Sequence, residues 1–341
     1  SRRHANMIRK LAVASHRKSE IRGCCDLGSS YFRLLVVEGE FPEAGRLEDG
    51  RLRSRSVREE RRYTGWGADL VAGGEIGRGA VSRSLEALAE LLEVSKGAMC
   101  PNPALVATNT LREARNASAA VRAIERAARM RVRILSQREE AAFAFTGAAF
   151  FEKRRDDLCL VDIGGTSTEV SWGRGVSMTD FAGFPVGTHR VHAALAALAP
   201  EGDGASRMAD LLDGYDATRP APGSGVYRLP PGAGRSTMLV TGGTAVTLAA
   251  ALRMMRGLAP DFGATQPMRL DELASVRRWL AGVLRSDGGR SLPFDAGRAQ
   301  LLPAGVMLAE SLLRAFDARE FVVTARDLRW GVVLSGGGAG G

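Results

Sequence analysis

Two hexapeptides constrain this chain more than any other feature: Cys25-Asp26-Leu27-Gly28-Ser29-Ser30 and Val161-Asp162-Ile163-Gly164-Gly165-Thr166 follow one plan. In each, an apolar run ends in Asp, an apolar residue and Gly follow, and small hydroxyl residues lead into a second run. Their surroundings repeat as well. Residues 21–26, 32–38 and 52–63 read as three successive strands, the first two joined by the Gly/Ser turn. Residues 158–162, 167–172 and 176–184 read the same way around the Gly/Thr turn. Matching turns within a matching strand order predict a duplicated α/β domain.

The rest of the pattern fills out two such units. In the first half, Val81, Leu85, Leu88 and Leu92 recur at helical spacing over 78–92. A strand at 104–108, a helix at 118–130, a strand at 132–135 and a helix running through Phe150 follow. Ser136-Gln137-Arg138-Glu139 has the pattern of a capping box at the start of that helix. The charged stretch 152–157 is the best boundary between halves. In the second half, 200–237 is rich in Gly, Pro, Asp and Ala and reads as loop with a short helix at 207–212. A strand at 238–241, helices at 245–255, 270–284 and 299–313, and a strand at 321–324 complete it. The expected organisation is a basic tail over 1–20, one domain over 21–152, a second over 153–335 and a flexible end over 336–341. A chain of 341 residues is long enough for two cores.

Composition narrows the partners without naming one. A net charge of +9 favours an acidic partner, whether nucleic acid, anionic lipid or a phosphate-rich substrate. A solvated, Arg-rich surface accounts for the same number. The four cysteines show no metal spacing, and Cys24, Cys25 and Cys159 sit in apolar runs as small core residues, which fits a reducing compartment. No apolar stretch approaches the roughly 18 residues that a membrane span needs. The basic N-terminus has no apolar signal core behind it. The expected setting is cytoplasmic, with no membrane and no specific nucleic-acid partner.

The two turns carry the chemistry. Gly lets the backbone turn sharply and approach a ligand, and successive N–H groups in such a turn point into one anion-binding concavity. The hydroxyls of Ser29, Ser30, Thr166 and Ser167 add donors, and Asp26 and Asp162 at the strand ends are suited to Mg²⁺. Two Gly-containing hairpin turns capped by Asp are the alternative. Gly242-Gly243-Thr244 lies between a strand and a helix start, a further anion-binding arrangement.

With these residues on view, the chain resembles the exopolyphosphatase/guanosine-pentaphosphate phosphohydrolase (Ppx/GppA) family in its short, two-domain form. The matching segments are CDLGSSYFRLLVVEG at 25–39, ATNTLREARNA at 107–117, ILSQREEAAFAFTGAA at 134–149, LVDIGGTSTEVSWG at 160–173, FPVGTHRV at 184–191 and VTGGTAVTLAA at 240–250. LLPAGVMLAES at 301–311 and RDLRWGVV at 326–333 match less closely. The resemblance implies two actin-like domains of the sugar kinase, Hsp70 and actin superfamily, ribonuclease H-like, with a cleft between them. It implies Mg²⁺-assisted release of terminal phosphate from inorganic polyphosphate or guanosine pentaphosphate, and homodimers occur in the family.

Residue by residue, the resemblance gives Glu140 as general base. The capping box agrees, since it occupies Glu139 and leaves Glu140 free. Asp162 and Glu169 match acids that bind metal or position the attacking water, and Asp26 matches the first domain's metal acid. Arg33 and Arg112 match basic positions expected to hold phosphate oxygens, Arg112 within the catalytic set. Gly28, Ser29, Ser30, Gly164, Gly165, Thr166, Ser167, Gly242, Gly243 and Thr244 match the phosphate cradle. Taken without the resemblance, Glu140 reads as a first-turn acid favoured by the helix dipole and Glu169 as part of a solvated strand face.

Two departures stand out. The family's S-N-S is Ser29-Ser30-Tyr31 here, and its G-G-G-S is Gly164-Gly165-Thr166-Ser167. Both leave open which substrate is preferred. A small-molecule kinase of the same superfamily and a non-catalytic sensor of guanosine penta- or tetraphosphate are the rival functions. His189 and His192 fall at the start of one helix and suggest neither a Ser–His–Asp arrangement nor a metal site.

Overall fold

Strand β1 (Glu20–Leu27) is the axis of the first half. Its inner residues are buried on both faces, as expected of a strand with neighbours on either side. It pairs antiparallel with β2 (Tyr31–Glu40) through the Gly/Ser turn and parallel with β4 (Ala104–Ala107). β3 (Arg53–Tyr63) lies outside β2, and β5 (Val132–Ile134) lies outside β4, giving the order β3-β2-β1-β4-β5. The computed structural model describes residues 19–42, 47, 52–153, 156–198, 204–225 and 236–336. The expectations for the basic tail up to residue 18, for much of 199–235 and for the end beyond 336 lie outside the described residues.

The second half repeats this order. β6 (Asp157–Ile163) pairs antiparallel with β7 (Thr168–Arg174), which pairs with β8 (Ser177–Phe184). β6 also pairs parallel with β9 (Thr237–Thr241), which pairs parallel with β11 (Glu320–Val323). Read from one edge, β8-β7-β6-β9-β11 restates the first sheet. β10 (Gln266–Arg269) is added antiparallel at the far edge. The repeat extends to register, because Asp26 faces Arg33 in one hairpin and Asp162 faces Glu169 in the other.

A shared core joins the sheets. Cys24, Leu35 and Phe145 from the first half pack in one cluster with Leu158, Leu160 and Leu239 from the second. The last helix, Leu328–Leu334, completes that cluster with Trp330 and packs across the helix Gln137–Ala149. This crossing is tight. A Cβ on Gly147 would lie 2.8 Å from the Gly331 nitrogen, and one on Gly331 would fall inside the Phe143 carbonyl. The last helix therefore returns to the first sheet, although it follows the second in sequence. All four cysteines are buried free thiols. No helix among the described residues is long and apolar enough to cross a membrane.

Several elements were not anticipated. The helix Trp66–Gly73 begins just after Gly65, whose φ of 76° lies in the left-handed region. Asn109–Glu113 is a five-residue helix, and all seven residues of Leu328–Leu334 are buried. The helix expected at 207–212 starts earlier, at Gly204–Asp213.

Candidate active site

Each turn requires glycine for a steric reason. A Cβ on Gly28 would sit 2.9 Å from the Tyr31 carbonyl oxygen, and one on Gly164 would sit 2.7 Å from that of Ser167. Both hairpins thus close at the same point. The turns then meet: a Cβ on Gly165 would lie 3.0 Å from Ser30 Oγ and would overlap Ser29 Oγ. Asn109 Nδ2 from the first half donates to Thr166 Oγ1 at 3.0 Å. Gly242, with φ 98°, caps the helix Gly243–Met255, and a Cβ there would lie 2.8 Å from Asp162 Oδ1. The third Gly-rich turn is thereby held against the second.

One cavity of about 750 Å³ opens between these turns. Asp26, Gly28, Ser29, Ser30 and Arg33 line it from the first half. Asp162, Gly164, Gly165, Thr166, Ser167 and Glu169 line it from the second, with Gly242, Gly243 and Thr244 beside them. Glu140 enters from the first turn of Gln137–Ala149. Arg112 is the exception among the expected site residues: it does not line the cavity and instead donates to Glu140 Oε2 at 2.6 Å and to the Leu135 carbonyl at 2.8 Å.

The capping box fixes Glu140 in place. Ser136 Oγ accepts from the Glu139 N–H at 3.3 Å, and the Glu139 carboxylate accepts from the Ser136 N–H at 2.8 Å. The Ser136 N–H and the Ser136 hydroxyl, both donating to that carboxylate, hold Glu139 down at about 2, with Arg133 adding to the effect. Glu140 is buried, and burial together with the Glu169 charge pushes it well above the usual carboxylate range, against the pull of Arg112. Glu169 is buried rather than solvated, accepts from Gln137 Nε2 at 3.2 Å, and is also pushed up, first by burial and then by Asp162.

Asp26 and Arg33 form a network that the sequence did not suggest. Arg33 donates to Asp26 through Nε at 3.0 Å and Nη2 at 2.5 Å, and to Asp327 through Nη1 at 2.8 Å. Of its five N–H groups, two remain for a ligand. Asp327 caps the last helix and is held by Arg329. Both line the cavity, as does Arg298, whose guanidinium lies 4.4 Å from the Phe262 ring. The RDLRWGVV segment held the one signal for Asp327, and it had no assigned role.

The structure brings Asp26, Asp162 and Glu169, the three acids expected at the metal, to one cavity. No group of three or more His, Cys, Asp or Glu among the described residues forms a ready metal site. Arg33 already holds Asp26, and Gln137 holds Glu169. What is present suits a shared ion instead. Asp26 Oδ1 is buried without a protein partner, and Mg²⁺ is commonly held by one or two carboxylates together with water and substrate phosphate oxygens. Asp26 and Asp162 fit that role.

Burial of acids without a cation gives a testable pH dependence. Burial pushes Asp162 up to about 7 from 3.8, opposed by Arg33. Between those values the folded state binds more protons than the unfolded state, so stability falls as pH rises through that window. The penalty is absent below the lower value and complete above the upper one. With chelator present, Asp162→Asn melts at a higher temperature than the parent at pH 8, and the difference vanishes at pH 4. An equal shift at both pH values in calorimetry would disprove the burial argument.

The model of the Ppx/GppA phosphatase family matches residues 52–337. That match begins beyond the first turn. The crystal structure of the Aquifex aeolicus Ppx/GppA family member is similar, with 21% identity, 94% of this chain and 98% of that chain covered, and a TM-score of 0.64. An exopolyphosphatase from Cytophaga hutchinsonii has 18% identity over 93% of this chain and 98% of that one, with a TM-score of 0.67. Nucleoside triphosphate hydrolases from Neospora caninum share 12% identity over 97% of this chain and 94% of theirs, with a TM-score of 0.51. The fold is the duplicated α/β arrangement expected from the sequence.

Proposed function

The chain belongs to the Ppx/GppA phosphatase family, and from that premise we propose that it releases the terminal phosphate of inorganic polyphosphate or guanosine pentaphosphate. The observation that carries this reading is the convergence of both Asp-Gly turns and the buried Glu140 on one cavity. Phosphoryl transfer to water asks the protein mainly for positioning and for stabilisation of charge. The turn amides and the Ser and Thr hydroxyls supply donors for the terminal phosphate. Glu140 accepts a proton from the attacking water, with Arg112 orienting its carboxylate. The water oxygen bonds to phosphorus as the bridging P–O bond breaks, and the shortened chain leaves with that electron pair. Mg²⁺ held by Asp26 or Asp162 would neutralise phosphate charge when bound.

The test separates hydrolysis from its rivals. Free phosphate is expected from at least one of the two substrates with Mg²⁺ and no acceptor. Strict dependence on an acceptor would make the protein a kinase, and tight binding with no release would make it a sensor.

A further inference from the structure

His189 stands at the junction of the two turns, although nothing in its sequence position suggested a role there. It lies in the first turn of the helix Thr188–Leu198 and is 4% exposed. Its Nε2 is 2.8 Å from Ser30 Oγ. Its backbone N–H donates to the Gly165 carbonyl at 2.8 Å, and a Cβ on Gly165 would lie 3.0 Å from the ring. The ring also lies against Gly67, where a Cβ would come within 2.8 Å of Nε2. Gly67 in turn donates to the Ser29 carbonyl at 2.7 Å. His189 therefore touches a residue of each turn, Ser30 through its ring and Gly165 through its backbone.

The hydroxyl of Ser30 has one proton. If the imidazole accepts that proton, none is left for a ligand in the cavity that Ser30 lines. We propose that His189 is a positioning residue: its Nε2–H donates to Ser30 Oγ, which frees the Ser30 proton to meet an anion oxygen. Burial holds the ring neutral by driving it down to about 4, so it carries a single N–H near pH 7. This assignment rests on the reading that phosphate occupies the cavity, and it adds a reason why Ser30 acts as a donor there.

The experiment compares the parent with His189→Leu, His189→Gln, Ser30→Ala and the Leu/Ala double variant. Leu keeps the volume and removes the donor, whereas the Gln amide can restore it. The readouts are the dissociation constant for tripolyphosphate with Mg²⁺, and KM and kcat for polyphosphate. His189→Leu is expected to weaken binding and raise KM by about tenfold, the scale of one hydrogen bond, with kcat largely kept. His189→Gln recovers most of the loss, and the double variant is no worse than Ser30→Ala. Equal losses in Leu and Gln, or losses that add in the double variant, overturn the proposal. Should the Leu variant not fold, nitrogen-15 spectra of the parent imidazole decide: an Nε2–H ring supports the assignment and an Nδ1–H ring overturns it. Binding of tripolyphosphate by the parent without phosphate release defeats the hydrolytic reading alone, since the His189 comparison is still read in the dissociation constants.

Discussion

Glu140→Gln binds tripolyphosphate with Mg²⁺ about as tightly as the parent and releases phosphate roughly a thousandfold more slowly, the scale of a lost general base. Gln keeps the length and the hydrogen-bonding oxygen of Glu but accepts no proton at neutral pH. The capping box in which Ser136 and Glu139 engage each other is untouched, so the helix start is preserved. The same geometry predicts the pH profile of the parent. A base works deprotonated, and burial with Glu169 nearby raises the Glu140 carboxyl while Arg112 opposes the rise. Turnover therefore falls on the acid side at a higher pH than an exposed carboxylate would give. Full phosphate release by Glu140→Gln would remove it as the base.

Gly331→Ala is expected to destabilise the protein by about 3 kcal/mol, the upper end for overpacking a tight core. Helix propensity alone favours the change by about 1 kcal/mol, since Ala is the better helix former. Packing decides the sign. The Cβ would enter the Phe143 carbonyl, where two helices cross backbone to backbone at Gly147 and Gly331. Relief requires the last helix to move, and that helix carries Asp327 at its start, bonded to Arg33 in the cavity. Activity should fall with stability. A denaturant midpoint equal to or above that of the parent would show that the crossing is looser than described.

The legible parts of the site are those that sterics or local hydrogen bonding dictate. Both turns were readable because Gly28 and Gly164 must leave room for a hairpin carbonyl, a requirement written in six residues. The capping box was readable because its four residues are contiguous. Glu169 was ambiguous: polar alternation along a strand looks the same whether the face meets water or a buried cavity. The pairing of Arg112 with Glu140 was not legible, because spacing in sequence does not reveal which acid lies closest to an arginine. The last helix was missed because all seven of its residues are buried, leaving no polar face to set a period. His189 and Asp327 join the site only through long-range packing. No local pattern marks a histidine that touches a serine 159 residues away.

Hydrolysis by this route requires both Asp-Gly turns to hold one phosphate chain. A crystal structure of Glu140→Gln with Mg²⁺ and tripolyphosphate tests this most directly. The terminal phosphate should accept hydrogen bonds from the turn after Asp26 and from the turn after Asp162 at once. A phosphate chain bound to one turn alone, or outside the cavity, would contradict it.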